Sequence, residues 1–417
     1  LWPSVVRWYA KSSGTTNDKS KFLPVTPEIL KGCHYKGGFD TVSIYLQNNP
    51  DSHFFASKGL ILGGSHSPSP LNRNAHCGDL SAVLLQNLNP LVNLIRVPDK
   101  KIILMDEWES KIKAIVESTW KTDVNSLSGV PSWMLVLIKA VLQKTGSEYL
   151  TDVWPNMEVF FHGGISFEPY RDQYKALIPS DRMHYMETYN ASEGFFGLQD
   201  NPEEHSLLLM IDYSVFYEFI PINEVGEEHP TVLPLEAVEV GKNYAMVITT
   251  SGGLWRYQIG DTVRFTSLYP HKFVISGRTK NFINAFGEEL MVDNADKAIS
   301  RVCRQTGAKV KEYTAAPLFM LDKAKGRHQW MIEFEKMPPS LDDFASLLDK
   351  TLQQLNSDYE AKRYKEISLQ PLEIRVAREG TFYEWLRRKG KLGGQHKIPR
   401  LSNDRTFIEE LGKICDS

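Results

Sequence analysis

Apolar residues gather in short runs of strand length, and several of these runs end in small or hydroxyl-bearing residues. Val5 to Ala10 reads as a strand that delivers the turn Lys11-Ser12-Ser13-Gly14-Thr15-Thr16. Met157 to Phe161 reads as a buried strand leading into His162-Gly163-Gly164, and Arg182 to Tyr189 as another leading into Asn190-Ala191-Ser192-Glu193-Gly194. Tyr244 to Thr250 repeats the pattern and is followed by Ser251-Gly252-Gly253. Helical spacing lies between them: Asp106 is the expected N-cap of a helix that carries Trp108, Ile112, Ile115 and Val116 on one face.

After Phe273-Val274-Ile275-Ser276-Gly277-Arg278 the strand-to-loop pattern stops. Asp293 is the expected cap of a helix with Ala295, Ala298, Ile299 and Val302 on one side, and strands follow at Glu312 to Phe319 and Gln329 to Phe334. Ser340, three residues before Asp343, opens a long helix with the stripe Leu341, Phe344, Leu347, Leu348, Thr351, Leu352 and Leu355. A strand at Leu372 to Ala377 and a short helix near Phe382 to Leu386 complete an α+β unit. The pattern predicts a large α/β domain of mixed sheets and helices at residues 1–278 and a smaller α+β domain at 279–417.

Composition narrows the classes. The chain has 417 residues, and its 48 Lys+Arg against 51 Asp+Glu give a net charge of −3, too balanced for a nucleic-acid binder or a polybasic membrane anchor. Cys33, Cys77, Cys303 and Cys415 form no CxxC pair and no close Cys/His cluster, which predicts neither a disulfide framework nor a structural zinc site and fits a reducing, cytoplasmic setting. The most apolar stretch, Trp133 to Leu142, is interrupted by Lys139 and is too short to span a bilayer. The sequence opens at Leu1 and runs almost at once into a strand pattern, which raises the expectation of a further segment before it.

The loop Ser12 to Lys21 holds five side-chain hydroxyls, one glycine and two lysines in ten positions, a composition that can surround phosphate oxygens. It lacks the spacing of a Walker A loop, and a polar surface turn is the competing reading. Tyr189 and Glu193 put an aromatic ring and a carboxylate on one loop, where the ring can stack on a base and the carboxylate can hold Mg²⁺ beside substrate phosphates; a packing anchor and a solvated Glu are the plain alternative. Thr249 to Asp261 reads as strand, glycine turn, second strand and a terminal Asp, a place from which a carboxylate can accept ribose hydroxyls, although Gly-Asp is also an ordinary turn.

Taken in order, SSGTT, YNASEG, TTSGGLWRYQIGD and SGRTKNFINAFGE resemble the motifs of the Gretchen Hagen family of acyl acid amido synthetases, auxin-responsive promoter proteins of plants with bacterial relatives and a branch of the adenylate-forming superfamily. The resemblance runs from the first residues to about Arg400, and the motif wording departs from the plant form throughout, which predicts a bacterial member. It implies a large N-terminal domain, a small mobile C-terminal domain and ATP between them. It further implies activation of a carboxylic acid as an acyl-AMP and transfer to an amine, commonly that of an amino acid. By motif position, Ser12, Ser13, Thr15 and Thr16 would face the phosphates, Gly163 and Gly164 would let the backbone approach adenine, and Tyr189 would stack on it. Glu193 would bind Mg²⁺, Asp261 would hold the ribose, and Arg278 would reach ribose or phosphate. Gln395-His396-Lys397-Ile398-Pro399-Arg400 resembles the family's Gln-Tyr-Lys-x-Pro-Arg segment, which implies that Lys397 is catalytic. The chain departs from the family at Asn17-Asp18, where glycines are usual, and the helical segment that precedes the first strand in the family is expected to be missing from this numbering. Transfer to a thiol such as coenzyme A, or a sensor that binds ATP or an acid without turnover, are the alternatives. The acyl pocket is expected around Leu80 to Ile95 and Ser132 to Leu137, and the oligomeric state is not written in the sequence.

Overall fold

The computed structural model describes residues 5–12, 21–64, 66–68, 75–168, 170–279, 282–283, 285–286, 288, 290–319, 326–363, 369–390, 392 and 398–416. Among these, twelve strands form one mixed sheet. Arg96–Val97, Lys58–Ile61, Val124–Gly129, Val159–Gly163 and His184–Ala191 run parallel to one another. From His184–Ala191 onward the sheet is antiparallel, through Gly194–Leu198, Leu207–Leu209, His271–Arg278, Tyr257–Leu268, Asn243–Thr250, Val215–Pro221 and Leu233–Pro234. His184–Ala191 is therefore the strand at which strand direction changes. A four-stranded sheet that includes Trp8–Ser12 and Lys21–Val25 lies beside it.

Helix Pro131–Thr145 shows why the parallel half holds. Proline at its first position suits the start of a helix, and Gly146, at φ 71°, ends it in the left-handed conformation that glycine adopts without strain. Its buried Met134, Leu137, Ile138 and Val141 share a core with Ile115, Leu127 and Phe160. Each such side chain contributes roughly 1.5–3 kcal/mol by leaving water. Among the described residues no helix is long and apolar enough to cross a membrane.

Beyond Arg278, a three-stranded sheet of Lys309–Phe319, Gly326–Lys336 and Glu373–Ala377 has its own two cores. Tyr313, Ala315, Trp330 and Ile332 face helices Val292–Thr306 and Leu341–Leu355, whereas Ala316 and Met331 face helices Thr381–Arg388 and Thr406–Cys415. The alternation of sides along each strand is what lets one sheet carry helices on both faces.

Two expected caps are corrected. Helix Trp108–Thr119 is capped by Glu107, whose carboxylate accepts from the Glu109 and Ser110 amides at 2.9 and 2.6 Å, so the signal lay one residue beyond Asp106. Helix Val292–Thr306 begins one residue before Asp293; Asn294 Oδ1 accepts from the Met291 amide at 3.1 Å, and Asp293 instead pairs with Arg264 and Lys297. Ser340 does cap Leu341–Leu355, accepting from the Asp343 amide at 3.2 Å.

Candidate active site

A cleft of about 1430 Å³ opens where the parallel strands end, and Gly129, Gly163 and Ala191 lie on its wall. Loops at the carboxyl ends of parallel strands cannot continue the ladder, so they leave backbone groups and a crevice for ligands. Residues of the second unit, among them Asp293, Lys297, Lys311 and Arg400, close the far side.

The best-defined cluster joins three strands. Tyr189 Oη donates to Asp261 Oδ2 at 2.5 Å, and Arg278 Nε donates to Asp261 Oδ1 at 2.7 Å. Asp261 and Arg278 are direct partners across the ladder between Tyr257–Leu268 and His271–Arg278. Asp261 is not the terminal loop residue expected from the sequence but lies inside a twelve-residue strand. The turn signal of Gly260 has another outlet: Ile259, Gly260 and Asp261 oppose the single residue Met246, and Gly260 takes φ 86°. Such a bulge re-aims a side chain without ending the strand.

Tyr189 has its ring edge-on to Phe196 and Phe273 at 5.0 and 6.1 Å and is 6% exposed. Its hydroxyl fixes the Asp261 carboxylate, a task that no sequence spacing revealed. Ser192 and Glu193 form the whole turn between His184–Ala191 and Gly194–Leu198, because Asn190 and Ala191 belong to the ladder. Burial, reinforced by the nearby Asp261 charge, raises Glu193 to about 7; Arg278 and Lys21 pull the other way. Burial also lifts Glu187 to about 7, with Arg171 opposing and Asp293 and Glu168 adding to the rise.

Gly164 takes φ 86° on the cleft wall. Gly163 has a nearer constraint than any ligand, since a Cβ there would stand 2.3 Å from the Thr188 carbonyl oxygen of the neighbouring strand. Ser12 closes the strand Trp8–Ser12, while its side chain and all of Ser13, Thr15, Thr16 and Lys397 lie outside the described residues. At the far end of the hydroxyl-rich loop, Lys21 lines the cleft and its Nζ donates to Tyr257 Oη at 3.2 Å. From the expected acyl-binding segments, Ser81, Leu84, Val92, Trp133 and Leu135 also line it.

His34 was not anticipated. It sits in a π-helical turn, Leu30–Tyr35, and its Nδ1 lies 3.0 Å from Asn190 Oδ1. Burial pushes it down to about 4, so it is neutral at pH 7. The only local hint was that Leu30–Tyr35 abuts a glycine-rich helix start; the partner is more than 150 positions away. His34 Nε2, His162 Nδ1 and Gln173 Oε1 are buried on this cleft and have no hydrogen-bond partner among the described residues. Polar atoms left so on a cavity wall suit a ligand rich in hydrogen-bonding groups. Among the described residues no three His, Cys, Asp or Glu side chains gather to hold a metal ion. A lone Glu193 beside Asp261 still fits Mg²⁺, which takes one or two carboxylates and completes its shell with phosphates and water.

Comparison with known proteins agrees with this architecture. The GH3 family N-terminal domain matches residues 1–183, the GH3 family central domain 208–278 and the GH3 family C-terminal domain 293–406. Indole-3-acetic acid-amido synthetase GH3.4 of Arabidopsis thaliana is 28% identical over 98% of this chain and 70% of its own length. The chain spans about half the length of several other curated relatives, 46% of GH3.3 of the same plant for example. The solved GH3.15 acyl acid amido synthetase superposes with a TM-score of 0.76 at 18% identity, covering 100% of this chain and 82% of that one. A 2-hydroxyisobutyryl-CoA ligase in the postadenylation state shares the fold at a TM-score of 0.57 and 12% identity, over 98% of this chain and 76% of that one. With an adenylate-forming fold and three consecutive domain matches that together span most of its length, the chain belongs to the GH3 family.

Proposed function

We propose that this protein activates a carboxylic acid with ATP as an acyl-adenylate and passes the acyl group to the amine of an amino acid. The observation that carries this reading is the Tyr189–Asp261–Arg278 cluster, a carboxylate aimed into the cleft by two fixed donors, in a chain whose named relatives are amido synthetases. Asp261 accepts the ribose hydroxyls, Arg278 balances its charge and faces ribose or phosphate, and Gly163 and Gly164 border the adenine with Tyr189. Ser12, Ser13, Thr15 and Thr16 hold the phosphate tail. The domain ending at Arg278 binds nucleotide and acid, and the domain after it supplies Lys397.

In the first step a carboxylate oxygen attacks the α-phosphorus, a P–O bond forms, and the bond to the β-phosphate oxygen breaks with pyrophosphate leaving. In the second the amine nitrogen attacks the acyl carbon, AMP leaves with the electron pair of its C–O bond, and the amine loses a proton. Negative charge crowds in the first step, so the ammonium of Lys397 lowers its barrier chiefly by electrostatics and positioning. Mg²⁺ bound through Glu193 would neutralise phosphate charge.

The test is acid-dependent exchange of labelled pyrophosphate into ATP across aryl, indolyl and fatty acids, followed by product analysis with amino acids or coenzyme A as acceptor. Exchange supported by one class of acid and amide formation with an amino acid are expected. Thioester with coenzyme A and no amide would reassign the second step, and ATP binding without exchange for any acid would leave a sensor.

A further inference from the structure

Tyr170 belongs to the large domain, immediately before helix Arg171–Leu177, and is 3% exposed. Its hydroxyl donates to Glu312 Oε1 at 3.0 Å and accepts from Arg400 Nη2 at 3.0 Å. Both partners belong to the small domain. Arg400 Nη1 also reaches Glu312 Oε2 at 3.0 Å, and the guanidinium lies 4.5 Å from the centre of the Tyr313 ring. The stretch that carries Arg400 is sewn to the small domain's own sheet: the Ala315 amide donates to the Arg400 carbonyl at 2.8 Å, and Thr314 Oγ1 to the Pro399 carbonyl at 2.7 Å. Ile398, Pro399 and Arg400 line the same cleft as Asp261 and Glu193.

Arg264 to Asp293 at 3.0 Å is a second sheltered pair across the seam, whereas other polar contacts there are of a different kind. Arg304 reaches Glu168 and Asp172 with a side chain 48% exposed, and Lys139 meets Glu335 with one 45% exposed. Water and salt compete for such pairs, so they resist a change of domain orientation weakly. The Tyr170 hydroxyl is better sheltered, held between a guanidinium and a carboxylate that are 14% and 18% exposed, so water and salt compete less for its two hydrogen bonds.

We propose that Tyr170 is a positioning residue whose hydroxyl reads the Arg400–Glu312 pair and holds the small domain in the orientation that brings residues 398–400 to the nucleotide cleft. The inference rests on the adenylation reading for its kinetic consequence but not for its structural one. Removing the hydroxyl leaves the nucleotide wall intact and lowers the fraction of molecules in this orientation.

Tyr170→Phe keeps the ring and deletes only the bridge. Acid-dependent pyrophosphate exchange is expected to lose about tenfold in kcat, with KM for ATP and for the acid within twofold of wild type. Arg400→Lys, which keeps the charge but not the two-armed geometry, should fall similarly, and the double variant should fall little further. Small-angle scattering of each variant should show a larger radius of gyration than wild type, with any fall in melting temperature confined to a few degrees. A Tyr170→Phe profile identical to wild type overturns the inference whatever the activity, and so does a raised KM with kcat unchanged. If wild type supports no exchange while the scattering difference is present, the proposed function fails and the positioning role stands.

Discussion

Two clusters in this chain each join a tyrosine hydroxyl, a carboxylate and an arginine: Tyr189, Asp261 and Arg278 on the cleft wall, and Tyr170, Glu312 and Arg400 across the domain seam. In the first, all three residues sit on strands of one sheet, and backbone ladders fix their separation before any side chain acts. In the second, the tyrosine stands on one domain and its two partners on the other, so the side chains themselves decide whether the group is assembled. The same three chemical functions make a permanent floor in one place and a conditional contact in the other. Whether a polar cluster binds or regulates thus depends on what its backbones are tied to, more than on which residues compose it.

The difference can be tested from its strongest consequence downward. On the proposed function, Asp261→Ala is expected to cut pyrophosphate exchange by about 100-fold and, because Tyr189 and Arg278 lose their shared acceptor, to lower the melting temperature by several degrees; a loss of exchange of less than fivefold would take Asp261 out of the nucleotide site. Tyr189→Phe leaves the carboxylate in place but frees one of its oxygens, so KM for ATP should rise about five- to tenfold while the radius of gyration stays that of wild type. A change of radius would erase the distinction between wall and seam. Glu187 also lines the cleft, within reach of the Arg171, Glu168 and Asp293 charges. Folding raises it from 4.5 to about 7, so between those values the folded chain holds a proton that the unfolded chain has lost, and stability falls as pH rises through the window. Glu187→Gln should therefore be more stable than wild type at pH 8, by about 2 kcal/mol, and show no gain near pH 4, as read by denaturant unfolding. The smallest effect belongs to Arg304→Ala, whose exposed pairs should cost less than about 1 kcal/mol and vanish in high salt.

Much of the architecture was legible because its signals are local. Strand-length apolar runs, the cap at Ser340 and the change of pattern after Arg278 each follow from residues within a few positions of one another. The candidate site was legible in its membership more than in its arrangement. Gly260-Asp261 reads as a turn because glycine before aspartate usually makes one, and only the opposite strand reveals that the same freedom of φ serves a bulge. Tyr189 was noticed for its ring, whereas its hydroxyl is the group that acts on Asp261. Tyr170 carried no signal and His34 only its place before a glycine-rich helix start, since their partners are remote in sequence and the contacts exist only once the sheet and the second domain are in place.

The bulge at Ile259–Asp261 has a consequence for how this protein tolerates length change. Because alternate residues of a strand face opposite sides, deleting any one of these three would rotate either Tyr257 and Gln258 or Asp261 itself to the wrong face, while the hairpin tip at Ser251 to Trp255, a few residues earlier, has no such parity to keep. Insertions and deletions among natural or engineered variants should accumulate at that tip and stop short of the strand, and a library with random single-residue deletions across 251–262 would map the boundary directly.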